Sequence, residues 1–254
     1  MRNDYNPYAQ QPQNQQTPSD LFPSLWANEE ELSRATSACL ARVFMRMFAA
    51  LLVTAGVSYG VYQMPGIQEF LFSSMVPMIV IILLQFGLVM FISARAMSMP
   101  AATSNFFFFL YAILTGLTLS VIFLVYALGV IFQAFIITAL TFTAMSVYGT
   151  ITKRDLTGIG SIAIMALIGI IIASVINFFF QNEMVTVAVN YIGVLVFVAL
   201  TAYHTQRIKN MLAEAHATNQ EEAIGQISVV GALVLYLSFI NLFLKILSIL
   251  GRRR

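Results

Sequence analysis

Residues 227–250 read ISVVGALVLYLSFINLFLKILSIL, a run of 24 residues in which Lys245 is the only charge. A helix rises about 1.5 Å per residue, so this run is long enough to cross the roughly 30 Å hydrocarbon core of a bilayer. Working back along the chain, apolar runs of comparable length lie at 43–62, 71–92, 106–128, 131–148, 159–180 and 185–203. The sequence therefore predicts an all-α integral membrane protein of seven spans. Between the runs, Met64-Pro65-Gly66 predicts a turn, Met99-Pro100 interrupts helix, and Lys153-Arg154-Asp155 with Gly158 makes a charged hinge. Only Gly129 divides the third run from the fourth, which predicts a tight hairpin.

Composition agrees with this reading. Hydrophobic residues make up 59% of the 254 and charged residues 9%, whereas soluble domains are about one quarter charged. Thirteen basic and 11 acidic residues leave a net charge of +2, far too balanced for a nucleic-acid surface. Cys39 is the single cysteine, which excludes an intrachain disulfide and a cysteine-rich zinc site and suggests a small buried hydrophobe. Residues 1–20 are rich in Gln, Asn and Pro, so 1–34 is expected to be a flexible polar tail and 35–254 the membrane domain. Nothing before Arg42 has the apolar core of a cleaved signal peptide.

Basic loops are retained on the cytoplasmic side of a membrane. Arg34, Arg42 and Arg46 flank the first span, and Arg95, Lys153, Arg154, Arg207 and Lys209 follow the second, fourth and sixth. The opposite short loops carry Glu69 and Glu183 and no basic residue. A cytoplasmic N-terminus satisfies all of these positions, while Arg252 to Arg254 conflict with it, which leaves either seven crossings or a re-entrant last helix.

Polar residues inside apolar helices need partners, so their pattern is the main functional signal. Ser238, Asn241, Lys245 and Ser248 recur at steps of three and four along one face of the last span, continued by Gly231. The sixth span carries Asn190, Gly193, Thr201 and His204 at compatible phase, and the fifth carries Gly169, Ala173 and Asn177. These edges should turn inward, either to pack helices or to line a water-filled path. Gly56 and Gly60 form a GxxxG pair expected to pack the first span, and Phe106 to Phe109 point all round a helix, as lipid contact and packing require. Lys245 lies near enough to the helix end to snorkel to the interface. His216 is expected to be an exposed imidazole in a polar loop.

No Asp or Glu falls within the seven runs, so a dry carboxylate cage for calcium is excluded, leaving carbonyls, amides and water to line any passage. HExxH, GxSxG, Walker and GxGxxG signatures are absent, and no enzyme activity, cofactor or metal is expected.

The runs TAYHTQRIK at 201–209 and GALVLYLSFINLFL at 231–244, with 148–160 and 115–120, resemble the transmembrane Bax-inhibitor family, and the resemblance extends from about residue 35 to the C-terminus. It implies a bundle whose seventh helix is surrounded by the other six, and a pH-sensitive calcium leak described for some members. Others are linked to stress or cell-death regulation, and some bacterial ones to a membrane-bound protease. In the family pattern the sixth and seventh helices each contribute an acid to a proton-sensing pair; His204 and Ser238 stand at those positions. Coupled carboxylates share a proton, which His and Ser cannot reproduce. A pH response resting on His204 would instead centre nearer the imidazole reference of about 6.5, and burial would push it lower by disfavouring the cation. Arg95 is expected near His204, in the neighbourhood of an arginine that latches the family's acid.

The expected function is a pH-modulated cation leak, calcium included, in a bacterial inner membrane. Its pore or sensor candidates are His204, Ser238, Arg95, Asn241, Asn190, Asn177 and Thr201. Permeating calcium or protons, the lipid bilayer and another membrane protein are the partners considered, with no nucleic acid. Two alternatives stay open: a non-transporting regulator that docks through the tail and a 207–225 loop, and an intramembrane hydrolase in which Ser238 attacks with His204 as base.

Overall fold

The computed structural model describes residues 18–95 and 98–251. Its elements, in order, are α1 (Pro18–Tyr62), α2 (Pro65–Phe72), α3 (Met75–Arg95), α4 (Ala101–Leu119), α5 (Ile122–Val125), α6 (Leu128–Ile151), α7 (Thr157–Phe180), α8 (Glu183–Ala217) and α9 (Glu221–Leu250). Seven helices, counting α4 and α5 as one, are long and apolar enough to cross a membrane. The fold is thus the all-helical, seven-span bundle that the hydrophobic runs predict.

Several boundaries differ for local reasons. α1 begins at Pro18, a residue well suited to a helix start, so the second half of the stretch expected to be a tail is helical; residues 1–17 lie outside the described residues. An Arg34–Glu30 pair at 2.6 Å staples one turn of this extension. The Met64-Pro65-Gly66 turn leads into the short α2, and the second span starts at Met75 because the chain bends at Ser73 and Ser74. The tight hairpin after the third span lies at Tyr126 and Ala127, and Gly129 falls within the first turn of α6. The stretch after Arg207 is no loop, since α8 runs to Ala217 and turns at Asn219, whose φ of 53° an asparagine tolerates.

α9 is the centre of the bundle. Of its most apolar window 72% is buried, against 6–39% for the other spans. α1, α4, α6 and α8 pack directly on it, while α3 packs behind α4 and α7 behind α8. Side chains exposed on the outer helices are large and apolar, including Phe86, Met90, Phe132, Leu140, Ile162 and Leu195, which suits a lipid-facing surface. The four phenylalanines divide as expected, with Phe106 outward and Phe108 fully buried.

Attraction between apolar helices is weak in lipid, because the tails are as apolar as the side chains, so close approach and hydrogen bonds decide packing. Gly149 of α6 sits against the Ala202 carbonyl of α8, and Gly116 of α4 against Val57 and the Thr54 carbonyl of α1. The GxxxG expectation is corrected. Nothing lies within 4 Å of a Cβ at Gly56 or Gly60, because α1 turns its Thr54, Val57 and Val61 side toward the bundle instead. Gly169 is likewise open, and α7 meets its neighbours through Gly160, Ala163 and Ile170.

Candidate functional site

At the end of the bundle opposite the basic loops, α7, α8 and α9 border a cavity of about 1050 Å³, lined among others by Asn177, Thr186, Asn190, Lys245 and Ser248. Its frame is set by the α7–α8 turn. Gln181 takes a left-handed φ of 49°, and the Asn182 side chain caps α8 by accepting from Met184 N and Val185 N. Asn177 holds this turn, accepting from Asn182 N at 2.9 Å and donating Nδ2 to Thr186 Oγ1 at 2.8 Å. Across the α8–α9 seam, Asn190 Nδ2 donates to Ser248 Oγ at 2.7 Å. Lys245 lays its stem on Gly193, where a Cβ would come within 3.1 Å of Cδ and Cε. The structure therefore gathers Asn177 and Asn190 with Lys245 and Ser248.

It does not gather the other candidates there. Three contacts fix the antiparallel register of α8 on α9: Asn190 with Ser248, Gly193 with Lys245, and Ile208 with Gly231. His204 is therefore level with Val234, about one turn from Ser238. Ser238 Oγ donates to the Val234 carbonyl at 3.0 Å, and no hydrogen bond joins it to His204 among the described residues. Thr201 Oγ1 likewise donates to Phe197 O at 2.7 Å and Asn241 Nδ2 to Leu237 O at 2.8 Å. In mid-membrane each group has satisfied itself on its own helix, the local bond that an apolar medium favours. A direct Ser238–His204 hydrogen bond, which the hydrolase reading requires, is not formed among the described residues. His204 is half-buried, its ring 5.2 Å from that of Tyr203. Arg95 is exposed at the end of α3, a helix that packs against α4 and α2, and no hydrogen bond or ion pair links its side chain to His204 among the described residues.

Three clusters carry polar bonds that sequence reading missed. Gln206 accepts from Leu156 N at 2.9 Å and donates to Arg154 O at 2.8 Å, and Lys209 Nζ donates to Thr150 O at 2.8 Å. The two stretches 148–160 and 201–209 are thus clasped together, and Lys209 occupies the carbonyl-rich end of α6. In the same loop, hydrogen bonds from the Thr157 hydroxyl and then its backbone N–H hold Asp155 below the usual carboxylate range. Cys39, fully buried as expected, also accepts from Arg42 Nη2 at 3.0 Å and lies 3.2 Å from His216 Nε2. His216 is therefore a half-buried helical residue joining α8 to α1, and the exposed-loop expectation is corrected. At the core, Thr54 Oγ1 donates to Ala112 O at 2.9 Å and lies 2.7 Å from Tyr236 Oη, which binds α1, α4 and α9 together. Only the first cluster had a signal, since both its sides lie in the stretches that carry the family resemblance; the others join residues 177 and 182 positions apart.

The family described as "Inhibitor of apoptosis-promoting Bax1" matches residues 36–254. Inner membrane protein YbhL of Escherichia coli K12 is 46% identical over 215 residues, covering 85% of this chain and 92% of that protein. An uncharacterized protein of Borreliella burgdorferi is 43% identical with the same coverage, and one of Deinococcus radiodurans is 37% identical over 83% of this chain and 88% of its own length.

Proposed function

Because the chain belongs to the Bax-inhibitor-like family of multi-pass membrane proteins, we propose that it is a passive, pH-modulated cation leak, calcium among its ions, of a bacterial inner membrane. The membrane assignment draws on the name of the Escherichia coli relative. The observation that carries the leak reading is the polar cavity at one end of α9, continued along that buried central helix by Asn241 and Ser238. Beyond it the bundle is filled by Leu235, Tyr236, Phe239 and Leu242, so the cavity is one-ended and conduction requires these helices to move apart.

His204 is the titrating group of the proposal. Its protonation adds positive charge beside Arg207, one turn along α8, and so opposes cation passage at low pH. The test is flux from liposomes of purified protein, comparing calcium, potassium and protons across pH. Cation flux should fall on acidification, and His204→Gln should flatten that profile. Identical profiles for wild type and variant eliminate His204 as sensor, and protein-free rates in both eliminate the leak.

No catalytic step belongs to this proposal. A regulator that binds another membrane protein is the second reading. It is favoured by the length of α8, whose 35 residues extend about 50 Å and so project beyond the hydrocarbon core as a docking rod. Absence of flux with retained fold would favour it.

We also propose a cytoplasmic N-terminus, because the loops on that side hold Lys153 and Arg154 while Glu69 and Glu183 lie at the other end. In a Cys39→Ser background, Gln10→Cys should be protected from an impermeant thiol reagent in intact cells. Labelling of Arg254→Cys separates seven crossings from a re-entrant last helix.

A further inference from the structure

Among the described residues, Lys245 is the one basic residue lining the α7–α9 cavity. Its stem is covered by Gly193 of α8, and among the described residues its ammonium has neither an ion-pair partner nor a hydrogen-bond acceptor. A cation held inside a span needs a counter-charge or a wet, polar cavity. The acid lining the same cavity, Glu183, is exposed and lies ten residues before Gly193 on α8, about 15 Å along the helix axis.

The remaining polar groups favour an acceptor ligand. Ser248 Oγ receives the Asn190 amide, which leaves its own O–H to donate into the cavity. Asn177 is spent on the turn and Ser174 on the Ile170 carbonyl, so neither competes for Lys245. Tyr126 lies over Gly251 at the mouth, its hydroxyl without a hydrogen bond among the described residues. An ammonium and two hydroxyls thus line one space of about 1050 Å³, with Lys245 and Ser248 one turn apart on α9. That set, donors around one positive charge, is complementary to a tetrahedral oxyanion.

We propose that this cavity is a binding site for a phosphate group, with Lys245 as its charge partner and Ser248 and Tyr126 as hydrogen-bond donors. The group arrives either as the headgroup of an anionic phospholipid or as a free phosphate. Occupancy would bridge the ends of α8 and α9 and neutralise Lys245, the charge that otherwise opposes cation entry to the path proposed above.

The test is thermal unfolding of the purified full chain in zwitterionic detergent, titrated separately with inorganic phosphate at constant ionic strength, with phosphatidylglycerol and with phosphatidylcholine. Wild type should be stabilised by phosphate or phosphatidylglycerol and not by phosphatidylcholine. Stabilisation by phosphate identifies a free-anion site, and stabilisation by phosphatidylglycerol alone identifies a headgroup site. Lys245→Gln should weaken the effective ligand about ten- to hundredfold, as loss of a charge-assisted bond implies, whereas Lys245→Arg retains it. Ser248→Ala, which leaves the charge in place, should weaken it about threefold or more. Lys153→Gln, an exposed basic change at the other end, should leave it unaltered. The proposal is overturned if neither anionic probe stabilises wild type, if phosphatidylcholine works equally well, or if the Lys245→Gln and Ser248→Ala proteins respond as wild type does.

Discussion

Gly149→Val should strongly destabilise this protein and lower its yield of folded species. A Cβ at position 149 collides with the carbonyl of Ala202, a backbone atom in the middle of α8. No rotamer relieves that contact, so α6 must move away from α8. Displacing α6 also pulls Thr150 from Lys209 Nζ and strains the loop that Gln206 holds through Leu156 and Arg154. Overpacking alone costs about 1–3 kcal/mol and more where backbone must shift, out of a total stability of about 5–15 kcal/mol. Gel filtration and thermal unfolding in detergent provide the measurement. Gly169→Val is the matched control, because nothing lies within 4 Å of a Cβ there. Similar melting of the two variants would remove the close α6–α8 approach from the account.

Tyr236→Ala should destabilise by about 3–5 kcal/mol, the range for deleting a large aromatic side chain from a packed interior. Tyr236 is fully buried and meets the Phe108 and Tyr111 rings edge to face at 5.7 and 5.9 Å. Two such contacts add to the cavity left by the ring. Tyr236→Phe separates the hydroxyl from the ring: Thr54 keeps its bond to Ala112 O and loses only its contact with Tyr236, a loss of about 1 kcal/mol. Chemical unfolding of both variants tests this division. Equal losses would place the stabilisation in the hydroxyl network rather than in the packing.

The sequence by itself determined that seven segments are long and apolar enough to cross a membrane, and roughly where. Lipid makes this legible, since each span must be long, apolar and internally hydrogen-bonded, a requirement that each segment meets without help from its neighbours. The central place of the last helix was implied by the resemblance of 231–244 to a known family, and the phase of Ser238, Asn241, Lys245 and Ser248 showed which side would turn inward.

Only the tertiary structure decided which of these groups meet. A helical stripe says that Asn190 and His204 share a face, but the register of α8 on α9 pairs Asn190 with Ser248 and leaves Ser238 bonded to its own Val234 carbonyl. That register depends on small residues such as Gly193 and Gly231, and the lateral partner of a glycine is invisible along the chain: Gly149 and Gly169 read alike in sequence, yet one touches backbone and the other faces open space. The same holds for Cys39 with His216 and Thr54 with Tyr236, pairs that become neighbours only when distant helices pack. Hydrophobic length is a property of one segment, whereas a polar partner is a property of two.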